Sequence, residues 1–328
     1  MRSLIVHNAR SGFGSDAVFE FERTLACPGD ECVVRVLPET EGAIDARAAR
    51  SAVADAENFD LVVASGGDST MAALLAALAG REVLTCVFPS GSQNLLFEGL
   101  GNAAEPSSIA RSCRVGSSTA IDIAEVAWRD EAGDWRRKPF VLSAGTPYDA
   151  LLMQAAVAGG WGMVRAARIS AGIARQRPEL STYDVVTDGE WHTLEGISCT
   201  VANCAATPGG VVLSEESSLV DGLLDVFVLA CERSDGRGLK GVREGEGVTL
   251  TTPHLVRLTG RDVRVRSSAP MCLMVDGEGA VAGVTSFAAR ALPGAARLVV
   301  DRTSRYRAEG DPLDHDFGHA SEKAFPEA

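Results

Sequence analysis

From residue 1 to about 116, apolar runs of strand length alternate with longer segments rich in Ala, Leu, Glu and Arg, and that alternation leaves few folds open. Parallel strands joined by crossover helices produce it. Strands are expected at Ser3–His7, Glu31–Leu37, Asp60–Ser65 and Glu82–Phe88, with helices at Ser15–Ala26, Ala43–Glu57 and Thr70–Ala79, where proline is absent. From about residue 119 the texture becomes short β-rich runs between turn residues. These runs are Thr119–Trp128, Arg136–Ser143, Tyr183–Thr187, Gly196–Ala202, Leu224–Leu229, Asp262–Ser267, Met271–Val275 and Ala296–Val300. The expectation is an α/β domain with a parallel sheet over residues 1–117 and a mostly antiparallel β domain over 118–300. Two helical interruptions are expected, at Tyr148–Arg177 and near Arg233–Glu244. Residues 301–328, with Pro312, Pro326 and the i,i+4 pair His315 and His319, read as a loosely ordered acidic tail.

Composition narrows the partners. The 31 Lys+Arg against 44 Asp+Glu leave a formal net charge of −13, a field that repels polyphosphate backbones, so nucleic acid is not expected as a partner. The 8 cysteines are scattered through apolar runs without a C-x-x-C pair, which suits reduced, mostly buried thiols in a cytoplasmic protein. The apolar run in Met1–Asn8 is too short for a secretory core, so no export is expected. The uncharged, apolar stretch Ala150 to Val164 has 15 residues, short of the roughly 18 to 20 that a spanning helix needs.

Chemistry concentrates in two turns. Leu61-Val62-Val63-Ala64-Ser65 runs into Gly66-Gly67-Asp68-Ser69-Thr70, a strand feeding a glycine turn and a helix. Glycines let backbone N–H groups approach oxygens, and a helix N-terminus offers free donors and a positive dipole end, so this layout suits phosphate. An aspartate there would repel phosphate unless a divalent cation stands between them, so Asp68 points to a metal–nucleotide complex. The alternative is that Asp68 or Ser69 caps the helix. A second turn of the same build, Pro89-Ser90-Gly91-Ser92-Gln93-Asn94, follows Val83–Phe88. Two such turns at strand carboxyl ends would face one crevice, where open α/β sheets bind ligands.

With Asn8-x-x-Ser11-Gly12 ahead of them, these turns resemble the nucleotide-side motifs of the diacylglycerol kinase and sphingosine kinase catalytic domain, best matched by its bacterial soluble lipid kinases. The resemblance continues through Ala120-Ile121-Asp122-Ile123-Ala124, Phe140–Gly145, Asp221-Gly222-Leu223-Leu224-Asp225 and Val275-Asp276-Gly277-Glu278. It implies ATP-dependent phosphoryl transfer to a lipid hydroxyl, with the second domain a β-sandwich. By family position Glu278 accepts the hydroxyl proton, and Asp68 and Asp122 hold the Mg²⁺ that bridges the β- and γ-phosphates. Asn8, Ser11, Gly12, Thr40, Gly66, Gly67, Asp68, Ser69, Thr70, Gly91, Ser92 and Asn94 are the implied nucleotide residues. A second, structural Mg²⁺ would take the Asp221 carboxylate and the carbonyls of Ser218 and Leu223. On turn chemistry alone, Asp276-Gly277-Glu278-Gly279 also reads as a plain hairpin with a solvated acid.

The sequence departs from the family pattern at three positions. Ser69 replaces a glycine and would be strained if that position needed positive φ, Ala73 replaces a glutamate, and Leu95 stands where an acid of the metal network is usual. The alternatives are therefore a kinase of a soluble alcohol like NAD kinase, or a nucleotide- or lipid-binding member with weakened catalysis. A lipid substrate implies peripheral contact with the inner face of a membrane. The basic, apolar segment Tyr148–Arg177, with Arg165, Arg168 and Arg175, is its candidate, against a core-packed helix as alternative. Homodimerisation is left open.

Overall fold

The fold is described from a computed structural model covering residues 1–10, 15–38, 45–91, 94–146, 180–207, 211–230, 233–234, 249–250 and 254–307. Ser11, Gly12, Thr40, Ser92, the segment Tyr148–Arg177 and the His315/His319 pair lie outside the described residues.

The chain divides into two compact units. Unit 1 comprises Met1–Ile123, Leu219–Asp221 and Leu292–Ala328, and unit 2 comprises Ala124–Ser218 and Gly222–Ala291. In unit 1, β1 (Arg2–His7), α1 (Ser15–Leu25), β2 (Glu31–Val36), α2 (Ala46–Ala52), β3 (Leu61–Gly66), α3 (Asp68–Leu78), β4 (Leu84–Pro89), α4 (Leu95–Leu100) and α5 (Pro106–Val115) follow in order. Strands pair in parallel as β2-β1-β3-β4, with Ile5 against Val34 and Val63, and Val63 against Cys86. Every residue of β3 is buried, as expected of a parallel strand covered on both faces. Burying Leu61, Val62 and Val63 completely stabilises the layer by about 1.5–3 kcal/mol each.

The helix expected over Ala43–Glu57 ends at Ala52, and a single 3₁₀ turn, Ala56–Asn58, follows. A further strand closes the sheet from far along the chain. β5 is Ser117–Arg129 and β17 is Glu278–Val300, and the last part of β17 pairs in parallel with β4, Arg297 against Leu84 and Leu298 against Thr85. Residues 301–307, expected in the loose tail, are held instead: the Asp301 carboxylate accepts from the N–H groups of Ala103 (2.6 Å), Thr303 (2.7 Å) and Ser304 (3.1 Å).

Unit 2 is antiparallel. Its strands are β6 (Trp135–Phe140), β7 (Ser143–Gly145), β8 (Ser181–Thr187), β9 (Glu190–Ala202), β10 (Ala206–Thr207), β11 (Val211–Val212), β12 (Leu224–Ala230), β13 (Arg233–Ser234), β14 (Thr249–Leu250), β15 (His254–Gly260) and β16 (Asp262–Val275), with the first part of β17. The helix expected near Arg233–Glu244 is not formed at its start, where Arg233 and Ser234 pair with Leu250 and Thr249. Inward residues alternate along the strands, as in Val263, Val265, Leu273 and Val275 of β16, and build one core with Val226, Val228, Phe140 and Phe287. Seven of the cysteines are among the described residues, all free, and Cys86, Cys113, Cys199 and Cys204 are buried. No helix among the described residues is long and apolar enough to cross a membrane.

Candidate functional site

Two glycine turns meet at the carboxyl ends of β3 and β4. Gly66 and Pro89 are register partners, and Ser90 N–H donates to the Gly66 carbonyl at 3.1 Å. The turns touch through backbone: a Cβ added at Gly91 would collide with the Gly67 Cα and stand 3.0 Å from the Gly67 nitrogen. A Cβ at Gly66 would run into the Thr70 side chain. Only glycine lets the two loops lie this close.

Asp68 fastens them together. It is the first residue of α3, yet its carboxylate accepts from Leu95 N–H and Leu96 N–H of α4, both at 3.0 Å. The alternative in which Asp68 caps its own helix is therefore not what forms: α3 has no side-chain cap, and the carboxylate serves the start of α4 instead. Burial pushes the Asp68 pKa above the usual aspartate value, opposed by these N–H donors. The Asn94 side chain makes no cap to α4: it forms a reciprocal pair with Gly91, accepting from the Gly91 N–H and donating to the Gly91 carbonyl, both at 2.8 Å. It adopts the left-handed conformation, φ 57°, which asparagine tolerates best among non-glycine residues. Gly67 precedes α3 and makes no side-chain cap, leaving the first-turn N–H groups of α3 to other acceptors.

Ser69 and Leu95 show how the departures are absorbed. Ser69 lies inside α3 and is absent from the residues with positive φ, so the strain its Cβ threatened does not arise. Leu95 is 6% exposed, buried like Leu96, Phe97 and Leu100 of the same helix α4. Ala73 lies within α3.

Beneath the turns runs a buried polar string that sequence reading missed. His7 Nδ1 lies 2.9 Å from Ser65 Oγ, which lies 3.2 Å from Ser90 Oγ, linking the carboxyl ends of β1 and β3 to the second turn. All three are at most 5% exposed, and burial lowers the His7 pKa. Asn8 adds a tie, donating from its side chain to Thr70 Oγ1 at 3.0 Å. The signal available in the sequence was a polar residue ending each of three apolar strands.

Asp122 is buried at 2% exposure in β5, and its carboxylate accepts from Gly294 N–H at 2.8 Å. Its own N–H donates to the Leu219 carbonyl at 2.7 Å, which anchors the short segment Leu219–Asp221 in unit 1. Asp221 is exposed, Ser218 half-buried and Leu223 37% exposed. Among the described residues no three His, Cys, Asp or Glu side chains converge to hold a metal ion. Beside phosphate oxygens, a Mg²⁺ that keeps several waters needs only one or two carboxylates, so the lack of such a cluster does not bear on it.

In unit 2, Asp276 and Gly277 form a two-residue turn with φ 51° and 74° between β16 and β17, setting Val275 opposite Glu278. The hairpin reading holds for the backbone, whereas the Glu278 side chain lies outside the described groups. Asp276 is the residue the sequence undervalued. Its carboxylate accepts from the N–H groups of Val141 (3.0 Å), Leu142 (2.8 Å) and Ser143 (3.0 Å), and burial pushes its pKa up to about 7 against that pull. The strand expected over Arg136–Ser143 breaks there into β6 and β7 because these N–H groups serve Asp276 instead of a ladder.

Residues 2–126 match the diacylglycerol kinase catalytic domain, and residues 145–300 match the YegS C-terminal NAD kinase beta sandwich-like domain. Over residues 2–126 the chain belongs to the diacylglycerol kinase catalytic-domain family. A crystal structure of a putative diacylglycerol kinase from Bacillus anthracis shares its fold with TM-score 0.63 at 16% identity, covering 92% of this chain and 98% of that one. A second structure of a putative diacylglycerol kinase from that organism gives TM-score 0.64 at 17% identity, covering 92% and 97%. An uncharacterized protein of Synechocystis sp., sll0036, is 28% identical over 250 residues. That match takes in 73% of this chain and 54% of the cyanobacterial protein, so the chain spans about half the length of that relative.

Proposed function

We propose that this chain is an ATP-dependent phosphotransferase that acts on the hydroxyl of a lipid alcohol such as diacylglycerol. The observation that carries the reading is the pair of glycine turns in backbone contact at the carboxyl ends of two parallel strands, closed by Asp68. Such a place, with an uncapped helix N-terminus beside it, is where an open α/β sheet receives phosphate.

On this reading the first-turn N–H groups of α3 and the backbone of Gly66, Gly67 and Gly91 receive phosphate oxygens, and Gly91 stays positioned through its paired hydrogen bonds with Asn94. Asp68 and Asp122 would hold Mg²⁺ beside the phosphates, and Asp221 with the carbonyls of Ser218 and Leu223 a second ion. When bound, the first ion supplies neutralisation of charge on the transferred phosphoryl group. Glu278 receives the proton of the acceptor hydroxyl as the P–O bond forms. The family and the strand-end site support the phosphotransferase class, and the lipid acceptor is the finer part of the proposal.

A second reading, a nucleotide binder with weak turnover, is favoured by Leu95, which is buried where the family places an acid, and by Asp68, both of whose oxygens already serve α4. The test measures ATP consumption with Mg²⁺, alone, with a lipid extract and with NAD. Lipid-dependent turnover that Glu278→Gln abolishes is the expected result. Turnover with NAD instead assigns a soluble acceptor, and ATP protection against heat without turnover assigns the second reading.

A further inference from the structure

One edge of the unit 1 sheet is open. β2 ends the strand order, and among the described residues no strand pairs with its far side. The direction of its free groups follows from its ladder. Glu31 N–H donates to the Met1 carbonyl at 3.1 Å and Leu37 N–H to the His7 carbonyl at 2.8 Å, so the odd-numbered residues bond inward to β1. Successive residues of a strand send their N–H and C=O groups to opposite sides, so Cys32, Val34 and Val36 turn theirs outward. A row of this kind is a template for another strand.

β2 carries none of the devices that keep an edge from pairing: it has no proline, no lysine and no bulge. Its outward residues are apolar instead, and Val34 and Val36 are 37% and 61% exposed. Helix α1 adds to the same side of the sheet. Glu22 faces the Cys32 thiol, and Phe19, one turn earlier on the same flank of the helix, is 49% exposed. Covering these three side chains removes apolar surface from water, which favours an occupant.

The charges of β2 say which occupant. Antiparallel pairing of two identical strands is twofold and closes at two copies. Outward residues must exchange their hydrogen bonds with one another, which restricts the register. With Val33 on the axis, Cys32 faces Val34 of the second copy and Glu31 faces its Arg35. Moving the axis to Val34 sets Arg35 against Val33, and moving it to Arg35 sets two like charges face to face, which is destabilising. Only the first register places opposite charges across the axis, and it does so twice. Glu31 already holds Arg2 at 2.9 Å, and Arg35 holds Asp55 at 2.5 and 2.8 Å. Arg2 and Glu31 of one copy, followed by Arg35 and Asp55 of the other, then form a row of alternating sign. We infer that this chain forms a twofold dimer in which β2 pairs antiparallel with β2 of a second copy, Val33 on the axis, so that the two unit 1 sheets become continuous. The inference uses unit 1 alone and stands apart from the phosphotransferase reading.

The test is sedimentation equilibrium of the full chain across the micromolar range, with cross-linking to read the register. A reversible dimer is the expected result. Val34→Pro removes an outward N–H and spares the bonds to β1, so it weakens the dimer by at least about tenfold while the circular dichroism stays unchanged. Glu31→Arg sets like charges across the axis twice, leaves Arg35 on Asp55, and weakens the dimer by about tenfold, less so at high salt. In a Cys32→Ser background, Val33→Cys forms a disulfide between copies on oxidation by copper phenanthroline. Residues opposed without hydrogen bonds bring their Cα atoms to about 4.5 Å, within reach of that bond. Val34→Cys in the same background does not cross-link. A monomer at every concentration overturns the inference, as does a dimer that neither Val34→Pro nor Glu31→Arg weakens. Cross-linking through Val34→Cys in place of Val33→Cys overturns it too, because charge would then not set the register.

Discussion

Asp68 begins one helix and closes the start of another, so its removal tests the local design directly. Asp68→Ala leaves Leu95 N–H and Leu96 N–H without their acceptors and is expected to lower stability by about 1–2 kcal/mol, measured by urea unfolding. Glycine substitutions discriminate more sharply. Gly80 has φ +72° with open space where a Cβ would go, so Gly80→Ala bears only the left-handed penalty, about 1 kcal/mol. Gly91→Ala drives a Cβ into the backbone of Gly67, which has no side chain to move aside, and must separate the two turns. It is expected to cost more than Gly80→Ala and to abolish any ATP-dependent rise in melting temperature. Equal melting and equal ATP protection in the two variants would show that loop contact is irrelevant. In the sequence, the glycines and Asp68 were legible as a turn, but their mutual contact joins residues far apart in the chain and no local pattern encodes it.

The elements carry a pH signature. His7, Ser65 and Ser90 link the ends of β1 and β3 to the turn after β4, and burial disfavours the charged imidazole. The folded state therefore binds this proton less readily than the unfolded chain, whose histidine titrates near 6.5. The contribution is fully present above about pH 6.5 and is lost as pH falls toward the lowered folded value. Unit 1 should thus melt at lower temperature from pH 6.5 downward, and His7→Asn, which keeps a polar atom near Nδ1, should flatten that slope. An unchanged slope in the variant would remove His7 from the account. Most strands and helices were legible from period and composition, because burial repeats every two residues in strands and every three to four in helices. The break at Val141 and Leu142 was not, because the competing acceptor, Asp276, lies far along the chain.

At the scale of the molecule, His7 in unit 1 and Asp276 in unit 2 contribute to the acid response in opposite senses. Asp276 titrates near 7 when folded and near 3.8 otherwise, so its contribution is full below about pH 3.8 and is lost as pH rises through about 7. Asp276→Asn should remove that decline in unit 2 while costing about 1–3 kcal/mol throughout, since one amide oxygen cannot serve three N–H donors. Hydrogen exchange resolved by unit measures both slopes. The succession of strands and helices along the chain and the change of texture near residue 119 were legible, but the return of residues 292–307 to unit 1 was not, because a late strand carries no mark of its partner. That return yields the sharpest prediction about folding units. Residues 2–126 match a catalytic-domain family by themselves, yet unit 1 takes its strand beside β4 from Leu292–Val300, where Ala296, Leu298, Val299 and Val300 are at most 4% exposed. A chain of residues 1–126 leaves β4 as an open edge and uncovers the core those side chains complete. It should aggregate or melt without a cooperative transition, whereas a sharp calorimetric transition from that fragment would show that the late strand is dispensable.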